Sequence, residues 1–147
     1  MNTAITDFLE SKIGECKYFK WKEALYLPKM DIYALPNDVK ILENICLTAL
    51  KLDQIRDMFK EPLLVSSWYR PKEYNKMIKG SLKSMHMQGL ACDFYFAGYK
   101  AQQVREILAG QLKHLRIRME DLPKANWIHI DLKVDKLTPD HKLFFKP

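Results

Sequence analysis

Two of the chain's four histidines stand in segments that also carry a well-placed aspartate. His86 lies seven residues before Asp93 in SMHMQGLACDFYF, and His129 lies in WIHIDL. Two imidazole nitrogens and one carboxylate oxygen form a donor set suited to a divalent metal, zinc above all. Three protein ligands leave a fourth position open, which marks a site for chemistry rather than a closed structural one. A metal in such a site lowers the pKa of bound water and polarises a carbonyl, the requirements of hydrolysis.

Whether the three side chains can meet depends on the elements that carry them. LACDFYF (90–96) reads as a strand from its apolar and aromatic content, and WIHIDL (127–132) reads as another from its alternation. In the first, Leu90, Cys92, Phe94 and Phe96 share one face, and Ala91, Asp93 and Tyr95 the other. In the second, Ile128, Ile130 and Leu132 share one face, and Trp127, His129 and Asp131 the other. Burying both apolar faces puts Asp93 and His129 on the opposite face, where they meet if the strands pair. His86 reaches Asp93 only if the chain turns between them, since a helix would separate their Cα atoms by about 10 Å along its axis. Gly89 permits that turn. Spacing alone is unspecific, however. The same residues also fit a surface-loop histidine and a hydrogen-bonded strand aspartate.

The other elements frame these two strands. Residues 3–13 read as a short helix, FKWKEAL (19–25) as a further helical turn, and a loop follows through Pro28 and Pro36. Asn37 is a good N-cap for the longest helix, about 38–59, with Ile41, Leu42, Ile45, Ala49, Leu52, Ile55 and Phe59 on one face. LLVSS (63–67) reads as a strand, and PKEYNKMIK as a short helix begun by Pro71 and closed by Gly80. Tyr99–Leu108 reads as a helix, HLRIRM (114–119) as an alternating strand, and 136–147 as an irregular tail whose Phe144 and Phe145 dock back. Helices come mainly first and closely spaced strands later. The expected class is therefore α+β, with a small, mostly antiparallel sheet and helices packed on one face.

The length of 147 residues fits a single domain with its own core. Cys16, Cys46 and Cys92 form no C-x-x-C pair and read as buried reduced thiols. No signal peptide or membrane span is evident, so the chain is expected to be made in a cytoplasm. A formal charge of +6 suits an anionic partner such as bacterial cell wall or nucleic acid. The lysines are scattered, which disfavours a dedicated nucleic-acid patch.

Three segments in order resemble the zinc D-alanyl-D-alanine carboxypeptidase and L-alanyl-D-glutamate endopeptidase superfamily, whose fold hedgehog signalling domains share. GSLKSMHMQGLACDF resembles its Ser-x-His-x-x-Gly-x-Ala-x-Asp motif, WIHID its Trp-x-His strand, and SSWYRPKEYN its Ser-x-Tyr-Arg loop. The resemblance runs over about 19–132, leaving a tail at 133–147, and is nearest to the phage and bacterial cell-wall branch. It implies zinc ligands at His86, Asp93 and His129, and substrate binding by Arg70 and Ser84, with Trp127 a further cleft residue. It also implies a peptidase acting on peptidoglycan peptides, in the manner of a phage endolysin or a virion-associated lytic enzyme.

One position departs from the pattern. Several members carry an acidic residue three positions before the last zinc histidine, and here that residue is Asn126. An amide cannot serve as the proton acceptor. Glu120 is the leading replacement, with Asp121 and Asp131 behind it. Asn126 also favours a second expectation: a catalytically inactive virion structural or binding protein that keeps the fold and has virion proteins as partners.

Overall fold

A computed structural model describes residues 2–146, so the two ends of the expected domain and tail, Met1 and Pro147, lie outside the described residues. Among those residues the order is α1 (Thr3–Glu10), α2 (Trp21–Leu25), β1 (Tyr26–Leu27), β2 (Ile32–Tyr33), α3 (Val39–Phe59), β3 (Leu63–Ser67) and α4 (Lys72–Met77). A 3-10 turn at Met85–Gln88 leads to β4 (Ala91–Phe96), α5 (Ala101–Ala109), α6 (Leu112–Leu115), β5 (Arg118–Glu120), β6 (Ile128–Asp131) and β7 (Phe144–Phe145). The chain is α+β, as expected from its order of elements.

The main sheet runs β3-β4-β6-β5-β7. Its first three pairings are antiparallel and β5–β7 is parallel. Along β4 and β6, Phe94 faces Ile128 and Cys92 faces Ile130. These side chains enter one buried cluster with Ile45, Ala49, Leu52, Ile55 and Phe59 of α3. The stripe expected on α3 is therefore its core face. The Phe59 and Phe96 rings lie 4.6 Å apart within this cluster. The opposite face of β4–β6 carries Asp93 directly across from His129.

Several local expectations are corrected. The first helix stops at Glu10 rather than residue 13, because Ser11 turns extended and Lys12 bridges Lys20, which delivers Ile13 into the core. Asp38, not Asn37, caps α3, its side chain accepting from the Lys40 amide at 2.9 Å. Gly80 does not close α4 by its own backbone freedom. Lys79 takes the left-handed conformation, and Gly80 is needed because a Cβ there would lie 2.1 Å from Asn75 Oδ1. Residues 114–119 are not one strand. The helical turn α6 ends at left-handed Arg116, and only Arg118–Glu120 join the sheet. Leu115, Ile117 and Met119 are all buried, but they reach the core from either side of that turn. The tail is partly regular, since Phe144 and Phe145 add an edge strand. Cys16 and Cys92 are buried free thiols, whereas Cys46 is only partly covered.

Gly89 sits where α3 meets the 3-10 turn, with φ of +74°. Its carbonyl accepts from Thr48 Oγ1 at 2.9 Å and Trp68 Nε1 at 3.3 Å, and Asn44 Nδ2 donates to the neighbouring Gln88 carbonyl at 2.9 Å. A Cβ on Gly89 would lie 2.7 Å from Ile45 Cγ1 and 3.1 Å from the Ile41 carbonyl oxygen. The Gly89→Ala variant should therefore lose about 2–4 kcal/mol, the left-handed penalty added to overpacking against α3. Urea denaturation of the variant beside the parent chain measures this; an unchanged midpoint contradicts it.

Candidate metal centre

Each of the three expected ligands is delivered by a different local device. His86 rides on the 3-10 turn, and Ser84 caps that turn by accepting from the His86 amide at 3.3 Å. Asp93 comes from the centre of β4, and His129 from its partner on β6. A bulge in β3 between Val65 and Ser67 slips the register by one residue, so that Ser67 stands beside Asp93.

The donor atoms converge. His86 Nε2 lies 3.2 Å from Asp93 Oδ1 and 3.3 Å from His129 Nδ1, while His129 Nδ1 lies 2.7 Å from the same Asp93 oxygen. All three ligand atoms fall within 4.8 Å of one another. Tetrahedral coordination with bonds of about 2.0–2.1 Å separates neighbouring ligands by about 3.3 Å, so the two longer separations fit zinc directly. The His129–Asp93 pair, at 2.7 Å, is closer than that spacing and would have to open slightly to hold an ion.

The far side of each ligand is tied to the protein. His86 Nδ1 donates to the Trp68 carbonyl at 2.7 Å, which leaves Nε2 as the free lone pair. His129 Nε2 faces Asp131 Oδ2 at 3.6 Å. Asp131 is itself clamped by Arg118, whose Nε and Nη2 reach its two oxygens at 2.8 and 2.7 Å. Asp93 Oδ2 accepts from Arg70 Nη2 at 2.8 Å, and Arg70 Nε donates to Ser67 Oγ at 2.8 Å. Partners of this kind set the tautomer and ring orientation of metal-binding histidines.

Charge follows from these contacts. Burial opposes ionisation of Asp93, but His86 and His129 outweigh it and hold the carboxyl well below the usual carboxylate range. Burial lowers His86, with the positive charges of Arg70 and His129 adding to it, and Asp93 only partly offsets this. For His129 burial also favours the neutral ring, yet Asp131 and Asp93 prevail and raise it to about 9. Burial opposes ionisation of Asp131, but His129 and Arg118 bring it to about 2. Glu120 differs: burial raises its carboxyl above the usual value, and nearby His129 only partly counters this.

The centre opens into a cleft of about 410 Å³. Arg70, Ser84, Glu120 and Trp127 line it, together with Lys83, Arg118, Phe145 and Lys146. Arg70 has two of its donors committed to Asp93 and Ser67, so it faces the cleft as a fixed charge beside the ligand set. Asn126 is exposed and does not line the cleft, and neither does Asp121. Asp131, the other acid considered as a proton acceptor, has both oxygens bound by Arg118 and so is not free for that role. Arg118 and Phe145 are cleft residues that the sequence does not single out. The alternation through 114–119 already set Arg118 opposite Met119, and that was the available signal.

A family model described as Peptidase M15 matches residues 20–131, a span that includes His86, Asp93 and His129. No curated protein matches the chain.

Metal binding requires the neutral imidazole, so the proton on His129 must leave. In protein stripped by a chelator, the His129 ion pairs contribute stability fully present below the unperturbed value of 6.5 and lost as pH rises through about 9. At pH 7 His129 is thus protonated and His86 neutral, and zinc uptake should release about one proton per ion. Calorimetry in buffers of different ionisation enthalpy counts that proton. A count near zero would refute the charge assigned to His129.

Proposed function

The chain belongs to the peptidase M15 family and is a peptidase on that ground, and from this premise we propose that it is zinc-dependent and cuts peptide bonds in bacterial peptidoglycan. The observation that carries the reading is the meeting of His86 Nε2, Asp93 Oδ1 and His129 Nδ1 in a cleft that also holds Glu120. Peptidoglycan stems carry free carboxylates, and the cleft's Arg70, Lys83, Arg118 and Lys146 suit such a substrate. The resemblance to cell-wall enzymes of phages and bacteria supports action as an endolysin or a virion-carried lytic enzyme.

Zinc held by His86, Asp93 and His129 would supply Lewis acidity, polarising the scissile carbonyl and making water more acidic. The protein's own groups do the rest. Glu120 accepts a proton from the water whose oxygen bonds to the carbonyl carbon. It returns that proton to the amide nitrogen as the carbon–nitrogen bond breaks, leaving a carboxylic acid and an amine, and the acid then gives up its proton to the amine or to solvent. Its raised pKa suits both halves of this exchange, since a weakly acidic carboxyl takes and gives a proton more evenly near neutrality. Arg70 holds Asp93 in orientation and adds positive charge next to the carbonyl oxygen. Ser84 holds the turn that presents His86.

Glu120→Gln should lower kcat/KM on purified peptidoglycan by roughly 10²–10⁴-fold while zinc stoichiometry is unchanged. A chelator should abolish the parent activity, and zinc should restore it. Intact peptidoglycan at full zinc occupancy would instead mark the chain as a binding or virion-structural member of the family.

A further inference from the structure

The family match ends at residue 131, but the cleft continues beyond it. Strand β7 brings Phe145 to its wall, and Lys146 follows directly after it. This strand runs parallel to β5, with Phe144 opposite Met119 and Phe145 opposite Glu120. The Met119 amide donates to the Leu143 carbonyl at 2.7 Å and the Asp121 amide to the Phe145 carbonyl, which fixes the edge.

Phe145 touches both ends of the arrangement behind His129. The Arg118 guanidinium lies 4.2 Å from its ring centroid. The His129 ring stands edge-on to it at 6.3 Å. Arg118 meets Asp131 through two parallel hydrogen bonds, a geometry that demands one orientation of the guanidinium plane. A ring face beside a guanidinium attracts it and restricts its swing. Phe145 is only partly buried and stands outside the buried core cluster. Its place is explained by Arg118 and His129 rather than by filling the interior.

We propose that Phe145 is a positioning residue for the metal centre: β7 fixes Arg118, Arg118 fixes Asp131, and Asp131 sets the orientation of His129. The proposal rests on His129 being a metal ligand. It makes the segment past residue 131 part of the centre rather than an appended tail.

The test is metal affinity of the full chain, stripped and then titrated with zinc in competition with a chromogenic chelator, with the visible spectrum of the cobalt form as a second readout. Asp131→Asn should weaken binding roughly 10–100-fold, and Phe145→Ala roughly tenfold with an altered cobalt spectrum. Phe145→Trp keeps an aromatic face and should bind like the parent. Phe144→Ala, exposed on the same strand, should have no effect. Combining Phe145→Ala with Arg118→Met should be no worse than Arg118→Met alone, because both act through one chain of contacts. If circular dichroism shows that Phe145→Ala misfolds, Phe145→Leu replaces it, keeping bulk without the aromatic face. Unchanged affinity in the folded variant, or additive losses in the double variant, overturns the proposal. Failure of the parent chain to take up zinc would instead overturn the metal centre itself, and this proposal with it.

Discussion

The pairing register of β4 with β6 is the constraint from which the rest of the site follows. Asp93 faces His129 because Phe94 faces Ile128 and Cys92 faces Ile130. A slip of one residue would turn every side chain of one strand to the other face and separate Asp93 from His129 by the thickness of the sheet. The four apolar residues are essentially removed from solvent against α3, so such a slip would also expose them. Packing on one face thus secures chemistry on the other. The third member of the cluster depends on the same helix. Asn44 and Thr48 of α3 hold the Gln88–Gly89 turn that places His86 over the pair.

A cluster of charges this deep is costly unless each member is satisfied. Here the accounting is nearly complete. Asp93 uses one oxygen toward the histidines and gives the other to Arg70. His86 spends one nitrogen on the Trp68 carbonyl. Asp131 balances Arg118 and faces His129. The two arginines therefore bracket the ligand set, each neutralising the carboxylate that orients or supplies a donor. Glu120 is the contrast, with no side-chain hydrogen bond or ion pair among the described residues and a carboxyl that burial first, then the like charges of Asp93 and Asp131, push toward neutrality. In a site otherwise fully paired, the unpaired acid is the group free to exchange a proton.

Much of this was legible in the sequence because its cause is local. Alternation in 90–96 and 127–132 revealed which residues share a face, and Gly89 marked the turn that His86 needs. The readings that failed turn on contacts between distant segments. Nothing in TDFLESKI announces that Lys12 will bridge Lys20 and end the helix early. Burial of Leu115, Ile117 and Met119 mimics a strand, while Arg116 breaks the backbone with a left-handed residue. Asn126 looked consequential by its position relative to His129, yet it sits just before β6 begins and is exposed. Sequence offset from a ligand locates a residue in space only while both stay in one regular element. Asp131, two residues beyond His129 on the same strand and face, meets that condition, and it was its tie to Arg118 across the sheet that no local pattern could reveal.

The C-terminal edge joins these threads. Glu120 ends β5, and its strand neighbour on one side is β7, whose Phe145 stands opposite it. The same phenylalanine lies against Arg118 and the ring of His129. Phe145 stands along this edge opposite Glu120, whose carboxyl is raised first by burial and then by the like charges of Asp93 and Asp131. In the proposed chemistry the strand therefore serves two ends at once. It steadies the orientation of a metal ligand through Arg118 and Asp131, and it adds to the partly dry surroundings that help make a glutamate an effective proton carrier. Removing β7 would hydrate the base and loosen the ligand together, so the acid–base and metal functions of the cleft share one structural support.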